Sequence, residues 1–132
     1  MPILVDSNVI LDVVTQDPTW EPWSSSALAQ NAGHGSLVNP IIYSELCGNA
    51  NSVQEVDAVL ASLKIGYVEL PREALYLAAK AHLSYRRRGG TRKIGLPDFF
   101  VGAHAQASGL SILTRDKGRY QTYFPAALLI AP

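Results

Sequence analysis

Four carboxylates stand out by where they fall in the chain. Asp6 closes the apolar run Ile3-Leu4-Val5 and is followed by Ser7-Asn8. Glu45 sits in Pro40-Ile41-Ile42-Tyr43-Ser44-Glu45-Leu46, Asp98 comes directly after Leu96-Pro97, and Asp116 follows Ser111-Ile112-Leu113-Thr114 by two residues. Taken singly, Asp6, Asp98 and Asp116 read as helix caps or first-turn acids, which satisfy free N–H groups and suit the helix dipole; Glu45 reads as an exposed helical charge. Taken together they ask for another account. Carboxylates gathered in one place repel unless a divalent cation neutralises them. Mg²⁺ and Mn²⁺ are hard ions that take carboxylate oxygens and keep several waters. Such an ion activates one water as nucleophile and stabilises the departing oxygen, which is what phosphodiester hydrolysis needs.

Whether the four acids meet depends on the elements that carry them. Residues 2 to 5 read as a buried strand and 7 to 14 as the helix after it, with Ser7 or Asn8 helping to start that helix. Trp20 to Trp23 reads as a loop around Pro22, Ser24 to Asn31 as a helix and Gly35 to Val38 as a strand. Pro40 opens a helix to about Cys47, and Ser52 begins an amphipathic one to Leu63. Tyr67 to Leu70 is a predicted strand, and the helix after Pro71 runs to Arg86-Arg87-Arg88, where Gly89-Gly90 breaks it. Asp98 to Ala107 reads as a helix, and Ser111 to Thr114 and Leu128 to Ile130 as strands. This alternation implies an α/β fold with a mainly parallel sheet covered on both faces. In such folds ligands collect at the carboxyl ends of the strands, near where strand order reverses.

Composition fits that reading. The 132 residues are expected to form one domain, 1–132, with a real hydrophobic core. At 48% hydrophobic and 17% charged the chain is globular, which excludes a disordered segment. No apolar run approaches the ~20 residues that span a bilayer, so no membrane association is expected. Met1-Pro2-Ile3-Leu4 lacks the basic region of a signal peptide. Cys47 is the single cysteine and fits a reducing cytoplasm. The formal net charge is zero, yet eight of the eleven Lys and Arg lie between 86 and 119, namely Arg86, Arg87, Arg88, Arg92, Lys93, Arg115, Lys117 and Arg119. That basic half suits an anionic partner better than the average charge shows. The Arg86 to Lys93 stretch reads equally well as a solvated helix end or as a phosphate track leading to Asp98. Arg115 and Lys117 flank Asp116 and are placed for substrate contact.

The chain resembles the PIN-domain ribonucleases and, within them, the VapC toxins of toxin–antitoxin pairs. The motifs that carry the resemblance are Val5-Asp6-Ser7-Asn8-Val9-Ile10-Leu11-Asp12, Ser44-Glu45-Leu46, Leu96-Pro97-Asp98-Phe99-Phe100-Val101-Gly102-Ala103-His104-Ala105 and Leu113-Thr114-Arg115-Asp116-Lys117-Gly118-Arg119-Tyr120. They cover essentially the full length, with all four acids in order. The resemblance implies a three-layer PIN-like fold, a sheet of four to five strands between helices, and an endoribonuclease using Mg²⁺ or Mn²⁺. It makes Asp6, Glu45, Asp98 and Asp116 the catalytic, metal-holding set, with Asp6 and Asp98 as direct ligands and Asp116 acting directly or through water. Ser7, Asn8 and Thr114 would orient carboxylates or water from behind. Arg87, Arg92, Lys93, Arg115 and Lys117 would be candidates for RNA contact. The resemblance also implies a homodimer and a cognate VapB-type antitoxin whose tail blocks the acidic site.

Other readings remain open. The chain is alternatively a PIN nuclease of RNA processing, or a non-catalytic PIN-type binding module, although such a module would be expected to have lost acids. A phosphate-receiving signalling domain would want a carboxylate pair after the first strand, and a dehalogenase-type phosphatase would want Asp-x-Asp where this chain has Asp6-Ser7-Asn8. His34, His82 and His104 lack metal-ligand spacing, so His104 is expected to be structural. Cys47 reads as a small core residue and Trp20 and Trp23 as packing residues.

Overall fold

The structure, a computed structural model, describes residues 2–90 and 94–132. At its centre lies β1 (Ile3–Val5), flanked in a five-stranded sheet of order β3-β2-β1-β4-β5 by β2 (Ser36–Val38), β3 (Ile65–Tyr67), β4 (Ser111–Leu113) and β5 (Leu128–Ile130). Every pairing is parallel, with Leu4 opposite Leu37 on one side and Ile112 on the other. Successive side chains of a strand point to opposite faces, yet all three residues of β1 are buried. Both faces of the sheet are therefore covered at its centre, and this is why the run is continuously apolar rather than alternating.

The crossovers supply the cover. Helices α1 (Ser7–Val14) and α2 (Glu21–Gln30) join β1 to β2, and α3 (Pro40–Cys47) and α4 (Val53–Ser62) join β2 to β3. The long connection through α5 (Arg72–Arg87) and α6 (Leu96–Ser108) returns past β1 to β4, and the short α7 (Gly118–Gln121) precedes β5. Strand order thus reverses between β1 and β4, which makes their carboxyl ends the place for a ligand. α3 buries Ile42 and Leu46, α4 buries Val56 and Leu60, and α6 buries Val101 and Ala105. Each pair is four residues apart on one helical face. No helix among the described residues is long and apolar enough to cross a membrane.

α6 is buried on a second side too, where Phe99 and Ala103 meet Ala78 of α5 and Phe124. Phe124 lies directly against Gly102: a methyl group there would overlap its ring at Cδ2, Cε2 and Cγ. Because Phe124 is itself fully buried, the ring has nowhere to go. Gly102→Ala should therefore destabilise the protein by about 1–3 kcal/mol from overpacking, despite the ~1 kcal/mol that Ala gains over Gly in a helix. A lowered urea midpoint with unchanged slope is the expected reading.

Several elements differ from the sequence expectation: α6 starts at Leu96 rather than Asp98, a 3₁₀ turn spans Ala32–His34, and three more have local causes. α2 starts at Glu21 rather than Ser24, because Pro22 lies in its first turn, where a missing N–H costs nothing. The third strand is Ile65–Tyr67 rather than Tyr67–Leu70. Lys64 turns the chain in a left-handed conformation (φ 57), and buried Ile65 pairs with Ser36 immediately after it. The last of them, α7, has too few residues to show a periodic pattern.

Candidate active site

Asp6 extends β1 by one step, its N–H donating to the Leu113 carbonyl of β4 at 2.9 Å. The side chain is only 2% exposed, and burying a carboxylate is costly unless hydrogen bonds replace its water. They do. Oδ1 accepts from the Ser7 N–H at 2.8 Å, while Oδ2 accepts from the Thr114 hydroxyl at 2.9 Å and the Tyr120 hydroxyl at 2.8 Å. Asp6 is thus itself the cap of α1, which corrects the expectation that Ser7 or Asn8 would start that helix.

The side chains of Ser7 and Asn8 point across the site instead. Ser7 Oγ donates to Glu45 Oε1 at 3.1 Å, tying the β1 end to α3. Asn8 Nδ2 donates to Thr114 Oγ1 at 3.4 Å, and Asn8 Oδ1 accepts from the Arg115 N–H at 3.4 Å. Thr114 Oγ1 also accepts from the Asp116 N–H at 3.1 Å. A hydroxyl has one donor and two acceptor positions, so Thr114 is fully used, and its single proton is committed to Asp6.

Asp98 stands in the first turn of α6, where Oδ2 accepts from the Gly95 N–H at 3.2 Å. Burial pushes its carboxyl above the ordinary range; Arg119 and the Gly95 N–H oppose this, and the charges of Asp6 and Asp116 add to it. Glu45 is pushed up in the same way, by burial first and then by Asp6 and Asp98, against the Ser7 hydroxyl and Arg119. These mutual effects mean that Asp6, Glu45, Asp98 and Asp116 share one electrostatic neighbourhood, although they come from four separate stretches of chain. Asp116 is its exposed member, with half of its side chain accessible.

Hard oxygen donors of this kind fit Mg²⁺ or Mn²⁺. They do not yet close around a point, since among the described residues no three His, Cys, Asp or Glu side chains form a group able to hold a metal ion. A guanidinium stands among them instead. Arg119 Nε pairs with Asp116 Oδ2 at 3.0 Å, and Nη1 lies 3.8 Å from Asp98 Oδ1.

Several contacts lay beyond sequence reasoning. Tyr120 is fully buried, and burial together with the Asp6 charge holds its hydroxyl well above its ordinary pKa, so it remains a donor to Asp6. Its spacing from Asp116, one helical turn, was the available signal. Arg115, a candidate for RNA contact, is engaged elsewhere: Nε pairs at 2.9 Å with Asp12, which also accepts from Ser24 Oγ, and the guanidinium lies over the Trp20 ring. Behind the site, Asn39 Oδ1 caps α3 through the Ile42 N–H, so its Nδ2 must donate to His104 Nδ1 on α6. His104 is therefore neutral, in keeping with the downward pull of burial on its pKa. Arg87 and Lys117 are exposed, while Arg92 and Lys93 lie outside the described residues.

Asp6 is thus a buried aspartate at the switch point of a parallel sheet, with acids from three further segments nearby. The chain belongs to the PIN domain family, whose pattern it matches over residues 3–125. No curated protein matches the sequence. Among solved structures it is similar to a chain of VapBC2 from Rickettsia felis bound to a promoter DNA fragment, with TM-score 0.75 and 14% identity over 99% of this chain and 98% of that one. A chain of VapBC-1 from nontypeable Haemophilus influenzae gives TM-score 0.74 and 18% identity over 99% and 98%. DNA-bound VapBC from Salmonella typhimurium gives 0.74 and 15% over the same shares. At such identities the likeness is one of fold.

Proposed function

We propose that this PIN-domain protein is an endoribonuclease dependent on Mg²⁺ or Mn²⁺, acting in the cytoplasm as the toxin of a toxin–antitoxin pair. The observation that carries the reading is geometric: buried Asp6 lies at the β1/β4 switch point, Ser7 ties it to Glu45, and one guanidinium spans Asp98 and Asp116. Acids gathered in this way suit a divalent cation. Asp6 and Asp98 would hold it directly, with Glu45 and Asp116 completing the set. When bound, the ion supplies the positive charge that activates water and steadies the leaving oxygen.

The chain's own residues do the rest. Thr114 and Tyr120 fix the Asp6 carboxylate so that it meets its ligand without reorganising, a form of preorganisation. Glu45 is held in place by the Ser7 hydroxyl, which donates to its Oε1 at 3.1 Å. Exposed Arg87 and Lys117, with Arg92 and Lys93, would attract the RNA backbone. That the structural neighbours are VapBC complexes supports a VapB-type antitoxin as partner.

The test is cleavage of labelled RNA by the purified protein. Cutting is expected with Mg²⁺ or Mn²⁺ and should stop in EDTA, returning when metal is restored. RNA left intact across both metals and a panel of structured and unstructured RNAs would remove the catalytic reading.

A further inference from the structure

Arg119 plays no part in the metal-holding scheme above, yet among the described residues it is the one cation ion-paired with any of the four acids. Its guanidinium links two helices, reaching Asp116 beside α7 at 3.0 Å and Asp98 on α6 at 3.8 Å. A divalent ion that took Asp98 and Asp116 would meet this cation on the same carboxylates. Two positive groups on the same carboxylates repel, so the ion and the guanidinium compete for them.

Release is easy from this position. The side chain is 37% exposed, and partly exposed ion pairs are weak. α7 is a four-residue helix with no side-chain cap. A guanidinium is also not specific to carboxylates, because its planar fork fits a phosphate equally well. We infer that Arg119 is a phosphate-binding arm parked on the metal-holding acids: the divalent ion displaces it from Asp98 and Asp116, and it then takes a backbone phosphate of the RNA. The inference rests on the proposed acidic metal site and adds to it an order of events, in which metal loading frees the residue that grips substrate. Arg115 cannot serve in the same way, since Asp12 and Trp20 hold it.

Arg119→Gln separates the two halves of this role. Mn²⁺ titration calorimetry without RNA should show roughly two- to fivefold tighter binding, the range of a lost competing surface ion pair. Binding of a short labelled RNA, followed by anisotropy in Ca²⁺ so that cleavage does not intrude, should weaken by roughly tenfold, the scale of one charge-assisted hydrogen bond. Its salt slope should become shallower by about one. Arg119→Lys keeps the charge and should bind Mn²⁺ as the wild type does. Unchanged or weaker Mn²⁺ binding by Arg119→Gln overturns the parked state, as does an Arg119→Lys variant that behaves like it. Unchanged RNA affinity and salt slope overturn the phosphate contact. Asp98→Asn is the control for the site beneath: if it binds Mn²⁺ as tightly as wild type, the acidic metal site itself is mistaken. If it loses Mn²⁺ while Arg119→Gln matches wild type, the inference about Arg119 alone fails.

Discussion

Asp98→Asn should reduce RNA cleavage by on the order of a hundred- to a thousandfold while leaving the fold intact. Asparagine has the same shape, and its oxygen can still accept the Gly95 N–H that Asp98 Oδ2 accepts at 3.2 Å, so the first turn of α6 keeps its internal contact. What disappears is a negative charge beside Asp6, Glu45 and Asp116. A catalytic cation contributes several kcal/mol, and each ~1.4 kcal/mol lost from the transition state is a factor of ten. A weakened ligand set should therefore cost two or three such factors. The measurement is initial cleavage rate at saturating Mn²⁺, compared with an untreated preparation passed through the same columns to exclude contaminating nuclease. Circular dichroism and melting confirm that the variant is folded. Full activity in a folded Asp98→Asn would mean that this carboxylate holds no catalytic metal.

The sequence displayed the four acids because each is tied to a local signal. Asp6 and Asp116 follow short apolar strands, Asp98 follows Pro97 at a helix start, and Glu45 interrupts an apolar helix. Most strands and helices and the parallel arrangement were legible for the same reason: Ile3-Leu4-Val5 and Ser111-Ile112-Leu113 are short, mostly apolar runs that suit buried central strands. What was illegible depends on contacts between distant positions. Asp12 looks like an ordinary polar residue of α1 until Arg115, 103 positions later, pairs with it. Asn39 and His104 are 65 positions apart, and nothing in either neighbourhood announces the other. Tyr120 and Arg119 belong to a helix of one turn, whose place over the site follows from the path between β4 and β5 rather than from any periodicity. The position of β3 turned on a single left-handed residue, Lys64, of a type that seldom marks such a turn.

Without metal, the same acids should make the protein more stable as the pH falls, over a window set by Glu45 and Asp98. Both carboxyls are raised in the folded state from ordinary values of 4.5 and 3.8, burial being the first cause in each. An acid whose folded pKa is raised binds more protons folded than unfolded between those two values. Its stabilising contribution is fully present below the unfolded pKa and is lost as pH rises through the folded one. At neutral pH in EDTA the wild type therefore carries the whole unfavourable balance, only partly offset by Arg119, and Asp98→Asn should melt at a higher temperature. That advantage should shrink as pH falls through the raised folded value toward about 4 and vanish below it, where Asp98 is protonated in both states. His104, whose pKa burial lowers, destabilises the folded state on acidification, but it does so in both proteins and cancels in their difference. Mg²⁺ should invert the order at neutral pH. An ion that binds only the folded wild type adds RT ln(1 + [L]/Kd), about 2.7 kcal/mol at a hundred times Kd, and Asp98→Asn should gain little. The decisive data are paired melts across pH 4–8 with EDTA and with Mg²⁺; if Mg²⁺ raises both proteins equally, the carboxylates around Asp6 do not form a cation site.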